Sequence, residues 1–255
     1  MVSDTITAKT VSDTKVLAID AGNTRIKWGV HDGRKWVATG AVETASAAEL
    51  HESFRRALPV RQAIASNVAG SSVQAAIESA CRAASITVTF VRGEASRLGV
   101  TSSYRDPAQL GADRWVALVA AHTARPGHKL VINAGTAMTI DALAADGRFL
   151  GGVIVPGPAL MRRSLDRGTA ALRETPGAVV EFPGNTADAI ATGAAIAGAG
   201  AADRMAHAMA ARGTPAGLII LSGGAAREIA PALRLPYEIH ENLVLDGLQL
   251  IARSA

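Results

Sequence analysis

The residues best suited to chemistry sit in three short glycine-bearing stretches. Asp20-Ala21-Gly22-Asn23-Thr24 closes one apolar run, and Asn133-Ala134-Gly135-Thr136-Ala137 closes another. A strand that ends in a tight glycine turn aims backbone N–H groups and a hydroxyl at one point, which suits phosphate oxygens. A neighbouring carboxylate, here Asp20, can hold the phosphate's Mg²⁺ through water. Two such turns facing each other would grip one polyphosphate. The third stretch, Leu221-Ser222-Gly223-Gly224-Ala225, sets paired glycines between a strand and a helix, where backbone can lie flat against a nucleoside. Singly, each could merely close a hairpin. Their order along one chain points to a nucleotide.

Other chemistries lack their signatures. No glycine-rich stretch ends in Gly-Lys-Ser/Thr, there is no Gly-x-Ser-x-Gly elbow and no His-Glu-x-x-His site, and the six histidines are scattered. The single cysteine, Cys81, cannot form an internal disulfide, and Met1 to Lys15 holds no apolar stretch of the secretory kind, so a cytoplasmic setting is expected. The uncharged run Ala189 to Ala202 is 14 residues, short of the roughly 20 that span a bilayer. Of the 26 basic residues 21 are Arg, with 22 Asp+Glu against them and no like-charged block. With nine aromatic residues available for stacking, this argues against a nucleic-acid partner and fits an anionic small substrate.

The elements that must carry the turns come in two similar series. Val16 to Asp20, Arg25 to Val30 and Lys35 to Val42 read as strands, the last two joined by the turn Asp32-Gly33. A helix Ala45 to Leu58, a strand Arg61 to Ser66, a helix Ser71 to Ala84 and a strand Ile86 to Val91 follow, then an irregular stretch Gly93 to Leu110 and a helix Asp113 to Thr123. After Pro126-Gly127 the pattern restarts with Lys129 to Ile132, Met138 to Leu143 and Arg148 to Val155. Helices Gly157 to Asp166 and Thr186 to Ala211, a strand Leu218 to Leu221 and a helix Asn242 to Arg253 complete it. Val16 to Thr24 matches Lys129 to Ala137 at a spacing of 113 residues, an internal repeat that predicts a duplicated α/β domain with a ligand in the cleft between the halves. The expected division is a disordered leader 1–14, a first domain 15–124 and a second 125–255. Gly193, Gly198 and Gly200 are expected to allow close helix packing rather than to hold a cofactor.

The order of these elements resembles the superfamily of actin, hexokinase and the heat-shock chaperone ATPases, and their wording resembles the type III pantothenate kinases. The matching stretches are Asp20 to Thr24 with Lys27, Tyr104 followed by Gly111-Ala112-Asp113-Arg114, Gly135 to Thr139 with Asp141, Gly151-Gly152 with Pro156-Gly157, Asn185-Thr186, and Ser222-Gly223-Gly224. They run from residue 16 to about 225. The resemblance implies two ribonuclease H-like (actin-like ATPase) domains and ATP-dependent phosphorylation of pantothenate, the first step of coenzyme A biosynthesis. It implies that Asp20, Ala21, Gly22, Asn23, Thr24, Arg25, Ile26 and Lys27 lie along the ATP phosphates and Mg²⁺, that Thr136 also contacts ATP, and that Asp113 is the general base. Tyr104, Gly111, Ala112, Asp113, Arg114 and Thr186 would surround pantothenate, with Thr186 supplied by the second subunit of a homodimer.

Blander meanings stand beside these. Asp113-Arg114 could be a helix N-terminal carboxylate next to a surface arginine, Tyr104 a loop anchor and Thr186 a helix cap. A related kinase acting on another hydroxylated acid, or an accessory protein that keeps the fold and acts by binding, are the competing functions; the retention of Asp20, Asp113 and Thr136 favours catalysis. One departure is clear: Asn133 stands where the family usually has an aspartate associated with a monovalent cation, K⁺ or NH₄⁺, so weaker cation dependence is expected.

Overall fold

The computed structural model describes residues 15–56 and 59–254. The expected leader 1–14 and the expected helix end at Leu58 lie outside them. Three antiparallel strands open the chain, β1 (Val16–Ala21), β2 (Arg25–His31) and β3 (Trp36–Glu43). Helix α1 (Leu50–Arg56), β4 (Gln62–Asn67), α2 (Ser71–Ala83) and β5 (Thr87–Phe90) complete a five-stranded sheet of order β3-β2-β1-β4-β5, in which β1–β4 and β4–β5 pair in parallel. Its core joins Leu17, Ile19 and Ile26 to Leu50 and Phe54 of α1 and Val73 and Ile77 of α2. The segment Thr44–Glu49, expected to begin a helix at Ala45, is instead a 3₁₀ stretch broken at Ser46. None of its side chains is buried, whereas Leu50 and Phe54, one helical turn apart, are fully buried, so the α-helix starts where its apolar anchors start.

The stretch between Gly93 and Leu110 is not wholly irregular. It holds a small hairpin, β6 (Ser96–Arg97) and β7 (Val100–Ser102), turned by Leu98 and Gly99, both at positive φ (48° and 82°). Helix α3 (Ala112–Ala124) follows, then β8 (Lys129–Ala134), β9 (Ala137–Leu143) and β10 (Arg148–Pro156). Helices α4 (Pro158–Gly168) and α5 (Thr186–Ala210) lead to β11 (Leu218–Ser222), α6 (Ala226–Ile229), β12 (Tyr237–Ile239) and α7 (Leu243–Arg253). The second sheet has order β12-β11-β8-β9-β10-β7-β6. Its first five strands repeat the first sheet's plan: β8, β9 and β10 form the antiparallel meander, and β11 and β12 add in parallel to β8. The repeat seen in the turn sequences is thus a repeat of whole sheet topology.

By their contacts the residues form two units. One takes the chain through Arg92 with Gly111–Asp113 and Val244 onward; the other takes Gly93–Leu110 and Arg114–Leu243. This differs from a break at 124/125. The β7 strand pairs with β10, which draws 93–110 into the second unit, and Trp36 Nε1 donates to Asp246 Oδ1 at 2.9 Å, which ties α7 to the first. In the second unit Leu130, Ile132, Met138 and Ile140 pack on Ala202 and Met209 of α5. Gly198 allows that approach, since a Cβ there would lie 2.9 Å from Met138 Sδ; Gly193 and Gly200 face open space. Among the described residues no helix is long and apolar enough to cross a membrane.

Candidate active site

In the first unit, the turn after β1 is closed by Gly22 N–H donating to Arg25 O (3.1 Å), and Thr44 Oγ1 donates to Gly22 O (2.7 Å) from the end of β3. Asn23, Thr24 and Arg25 are exposed at its tip, while Ala21 and Ile26 are buried below it. Asp20 sits at the base, opposite Lys27 on β2 and Ser66 on β4. Ser66 Oγ donates to Asp20 Oδ1 at 3.0 Å. Burial and then the negative charge of Asp113 push the Asp20 carboxyl up to about 6, against the lowering effect of Ser66 and Lys27. Asp113 lies in the first turn of α3, after Gly111 and Ala112, and is half-buried. Two carboxylates of one unit therefore sense each other.

The second unit builds the matching turn one residue tighter, with Gly135 N–H donating to Ala137 O at 3.1 Å. Asn133 holds the position of Asp20, flanked by Thr139 on β9 and Ser222 on β11, so that Ser222 repeats Ser66. Gly157 N–H donates to Thr136 O (2.8 Å), and a Cβ on Gly157 would collide with Gly135 O. Gly223, at φ 100°, is pressed on Ala134, and Ala225 N–H donates to Ala134 O at 2.9 Å. The second turn, Pro156-Gly157 and the Gly-Gly element thus meet at the end of β8.

Arg114 is no surface arginine. It is 6% exposed, with Nε 3.2 Å from both Asp141 oxygens and Nη2 2.5 Å from Asp141 Oδ1. Nη1 donates to the Tyr104 hydroxyl at 3.0 Å. The guanidinium lies 5.9 Å from the Tyr104 ring centre and 5.8 Å from that of Phe149, whose ring stacks on Tyr104 at a 33° tilt. Burial opposes the Arg114 charge, but the hydrogen bonds and charge of Asp141, with those of Tyr104, outweigh it and hold its pKa above the ordinary arginine value. Thr186 is the exposed first residue of α5, and the cap is its neighbour: Asn185 Oδ1 accepts from Asp188 N–H at 2.9 Å.

Tyr104, Asp141 and Arg114 are thus together in the second unit, and Asp20, Lys27 and Asp113 in the first. Ser66, Phe149 and the grip of Asp141 on Arg114 were not legible as site features. Each depends on strand register, although Asp141 and Gly152 stood among the matched motifs. No group of three or more histidine, cysteine or acidic side chains able to hold a metal ion occurs among the described residues.

Residues 16–208 match the family described as type III pantothenate kinase. The type III pantothenate kinase of Aromatoleum aromaticum is 46% identical over 238 residues, which cover 93% of this chain and 98% of that protein. A conserved Baf family protein from Campylobacter jejuni superposes with a TM-score of 0.58 at 18% identity, covering 93% of this chain and 98% of that one. MreB5 of Spiroplasma citri superposes with a TM-score of 0.54 at 11% identity, covering 94% and 96%. These last two likenesses bear on the fold alone, which is that of the actin-like ATPases.

Proposed function

The chain belongs to the type III pantothenate kinase family and phosphorylates pantothenate with ATP in coenzyme A biosynthesis, and on that premise we propose that Asp113 is the base for the reaction while Asp20 and its turn serve the nucleotide. The observation that supports this division is the unlike placing of the two carboxylates: Asp20 ends β1 below the glycine turn, bonded by Ser66 and opposite Lys27, whereas Asp113 stands half-buried in the first turn of α3. Carboxylates held in unlike settings take unlike roles. Asp20, hydrogen-bonded by Ser66 and opposed by Lys27, suits a metal-phosphate group. Asp113 takes the proton as the pantothenate hydroxyl oxygen forms its bond to the γ-phosphorus and the bond from that phosphorus to the β-phosphate oxygen breaks, releasing ADP.

Mg²⁺ keeps several waters when bound to substrate phosphates, and Asp20 would hold it through such a water; the ion would supply neutralisation of charge on the phosphate oxygens. The Asp20 to Lys27 stretch, exposed at its tip from Asn23 to Arg25, and Thr136 would receive the ATP phosphates. Tyr104, Gly111, Ala112, Arg114 and Thr186 would hold pantothenate. Asn133 offers an oxygen without formal charge, so K⁺ or NH₄⁺ would be held weakly.

A homodimer is part of the same reading, with Thr186 entering the partner's pantothenate site. It is supported by the apolar side chains that the second unit exposes: Ile154 on β10, Leu160 and Leu165 on α4, Phe182 before α5 and Ile196 on it, with Phe182 87% exposed. The Thr186 hydroxyl is not the cap of α5. We place the enzyme in the cytoplasm, with no nucleic-acid role. The test of the whole is ADP release from ATP and Mg²⁺ with and without pantothenate: release that depends on pantothenate is expected, and its absence at millimolar ATP would sink the reading.

A further inference from the structure

We propose that Asp141 is a positioning residue for pantothenate, acting through a buried relay from Asp141 to Arg114 to Tyr104. This rests on the reading that Tyr104 and Arg114 belong to the pantothenate site, Arg114 acting there through Tyr104. A guanidinium has donors and no acceptor, so in the bond from Arg114 Nη1 the Tyr104 oxygen accepts. Its own proton is then left to be donated elsewhere. Tyr104 is half-buried and Arg114 and Asp141 are buried, so the phenol is the member of the relay with access to a ligand.

The Arg114 charge is spent inward. Asp141 engages Nε and Nη2 together, which fixes the plane of the guanidinium and keeps the cation behind Tyr104. What the relay offers a substrate is therefore a fixed O–H donor strengthened by a cation behind it, matched to an acceptor oxygen, rather than a loose arginine charge. The pocket is cut for this pair. Gly152 is the cross-strand partner of Asp141, and a Cβ there would overlap Asp141 Oδ1 and lie 2.7 Å from Arg114 Nη2. Phe149, also on β10, sets its ring centre 5.8 Å from the guanidinium and stacks on Tyr104.

The experiment is a kinetic double-mutant cycle on the full chain with Asp141→Asn and Tyr104→Phe. Charge-assisted hydrogen bonds contribute enough that each single variant should raise the pantothenate KM by about 10-fold to 100-fold, with the ATP KM within about twofold because the relay touches no phosphate. The double variant should be no worse than the poorer single one. Asp141→Glu, which keeps the charge, should recover part of the loss.

A Tyr104→Phe effect that multiplies in full with that of Asp141→Asn, or an unchanged pantothenate KM in folded Asp141→Asn, overturns the relay. If Tyr104→Phe and Arg114→Lys both leave the pantothenate KM unchanged, the underlying assignment of these residues to pantothenate is what fails. Removing one partner of a buried pair can prevent folding. In that event the cycle is run in Asp141→Asn/Arg114→Gln, which leaves no buried charge. There Tyr104→Phe should cost nothing further, and an added tenfold loss overturns the proposal.

Discussion

Gly152 on β10 stands directly opposite Asp141 on β9, and a side chain at Gly152 would take the space that the Asp141 carboxylate and the Arg114 guanidinium now share. Its φ lies outside the left-handed region, so space and not backbone freedom sets the residue type. Gly151 is the reverse case: it sits at the bulge in β10 with φ 120° and open space around it. Gly152→Ala should therefore lower stability by about 1–3 kcal/mol through overpacking and raise the pantothenate KM. Gly151→Ala should lower stability with a smaller effect on KM. Thermal melts and steady-state kinetics of the two variants decide this; wild-type behaviour of Gly152→Ala would contradict it.

Asp113→Asn should fold and bind Mg-ATP but lose turnover by about 10²-fold to 10⁴-fold, the usual contribution of a general base. It should also lower the Asp20 pKa, because the Asp113 charge is one of the causes that raise it. Mg-ATP binding in the variant should then persist to lower pH than in the natural protein, as read by calorimetry across pH 5 to 7. An undiminished kcat would move the base elsewhere.

The Asp20 carboxyl, raised from 3.8 to about 6, gives a signed stability prediction for the metal-free protein. A raised folded-state pKa favours the folded state when the group is protonated, and that contribution is lost as pH climbs through about 6. Asp20→Asn should consequently raise the melting temperature at pH 7.5, by an amount corresponding to on the order of 1–3 kcal/mol, and change little at pH 4. The same variant should weaken use of Mg-ATP. A lowered melting temperature at pH 7.5 would show that Asp20 is not held at a cost.

Thr186→Ala removes an exposed hydroxyl that does not cap its helix. The variant should remain a symmetric dimer in sedimentation and bind pantothenate more weakly. A fully active monomer in the natural protein would rule out the shared site.

Asn133→Asp adds a charge between Thr139 and Ser222 at the end of β8. Saturation of the initial rate by KCl, at ionic strength held constant with a large organic cation, should be weak in the natural protein and tighter in the variant. Tight and identical saturation in both would free this position from any part in cation binding.

The sequence by itself determined the strands β1 to β5 and β8 to β11, the order of the glycine turns and the internal repeat, because period-two apolar runs, Asp-Gly turns and Gly-hydroxyl stretches act over a few neighbouring residues. It could not reveal the small hairpin at Ser96–Ser102, whose Leu98-Gly99 turn places a leucine at positive φ. Nor could it show the 3₁₀ stretch at Thr44–Glu49, where helical spacing lacks buried anchors. Tertiary structure alone decided that Ser66 reaches Asp20, that α7 returns to the first unit through Trp36 and Asp246, and that Arg114 turns inward to Asp141 instead of outward to solvent. Each outcome rests on pairing between segments 27 to 210 residues apart. Strand register chooses the face on which a side chain emerges, and a slip of one residue would put Asp141 on the other side of its sheet.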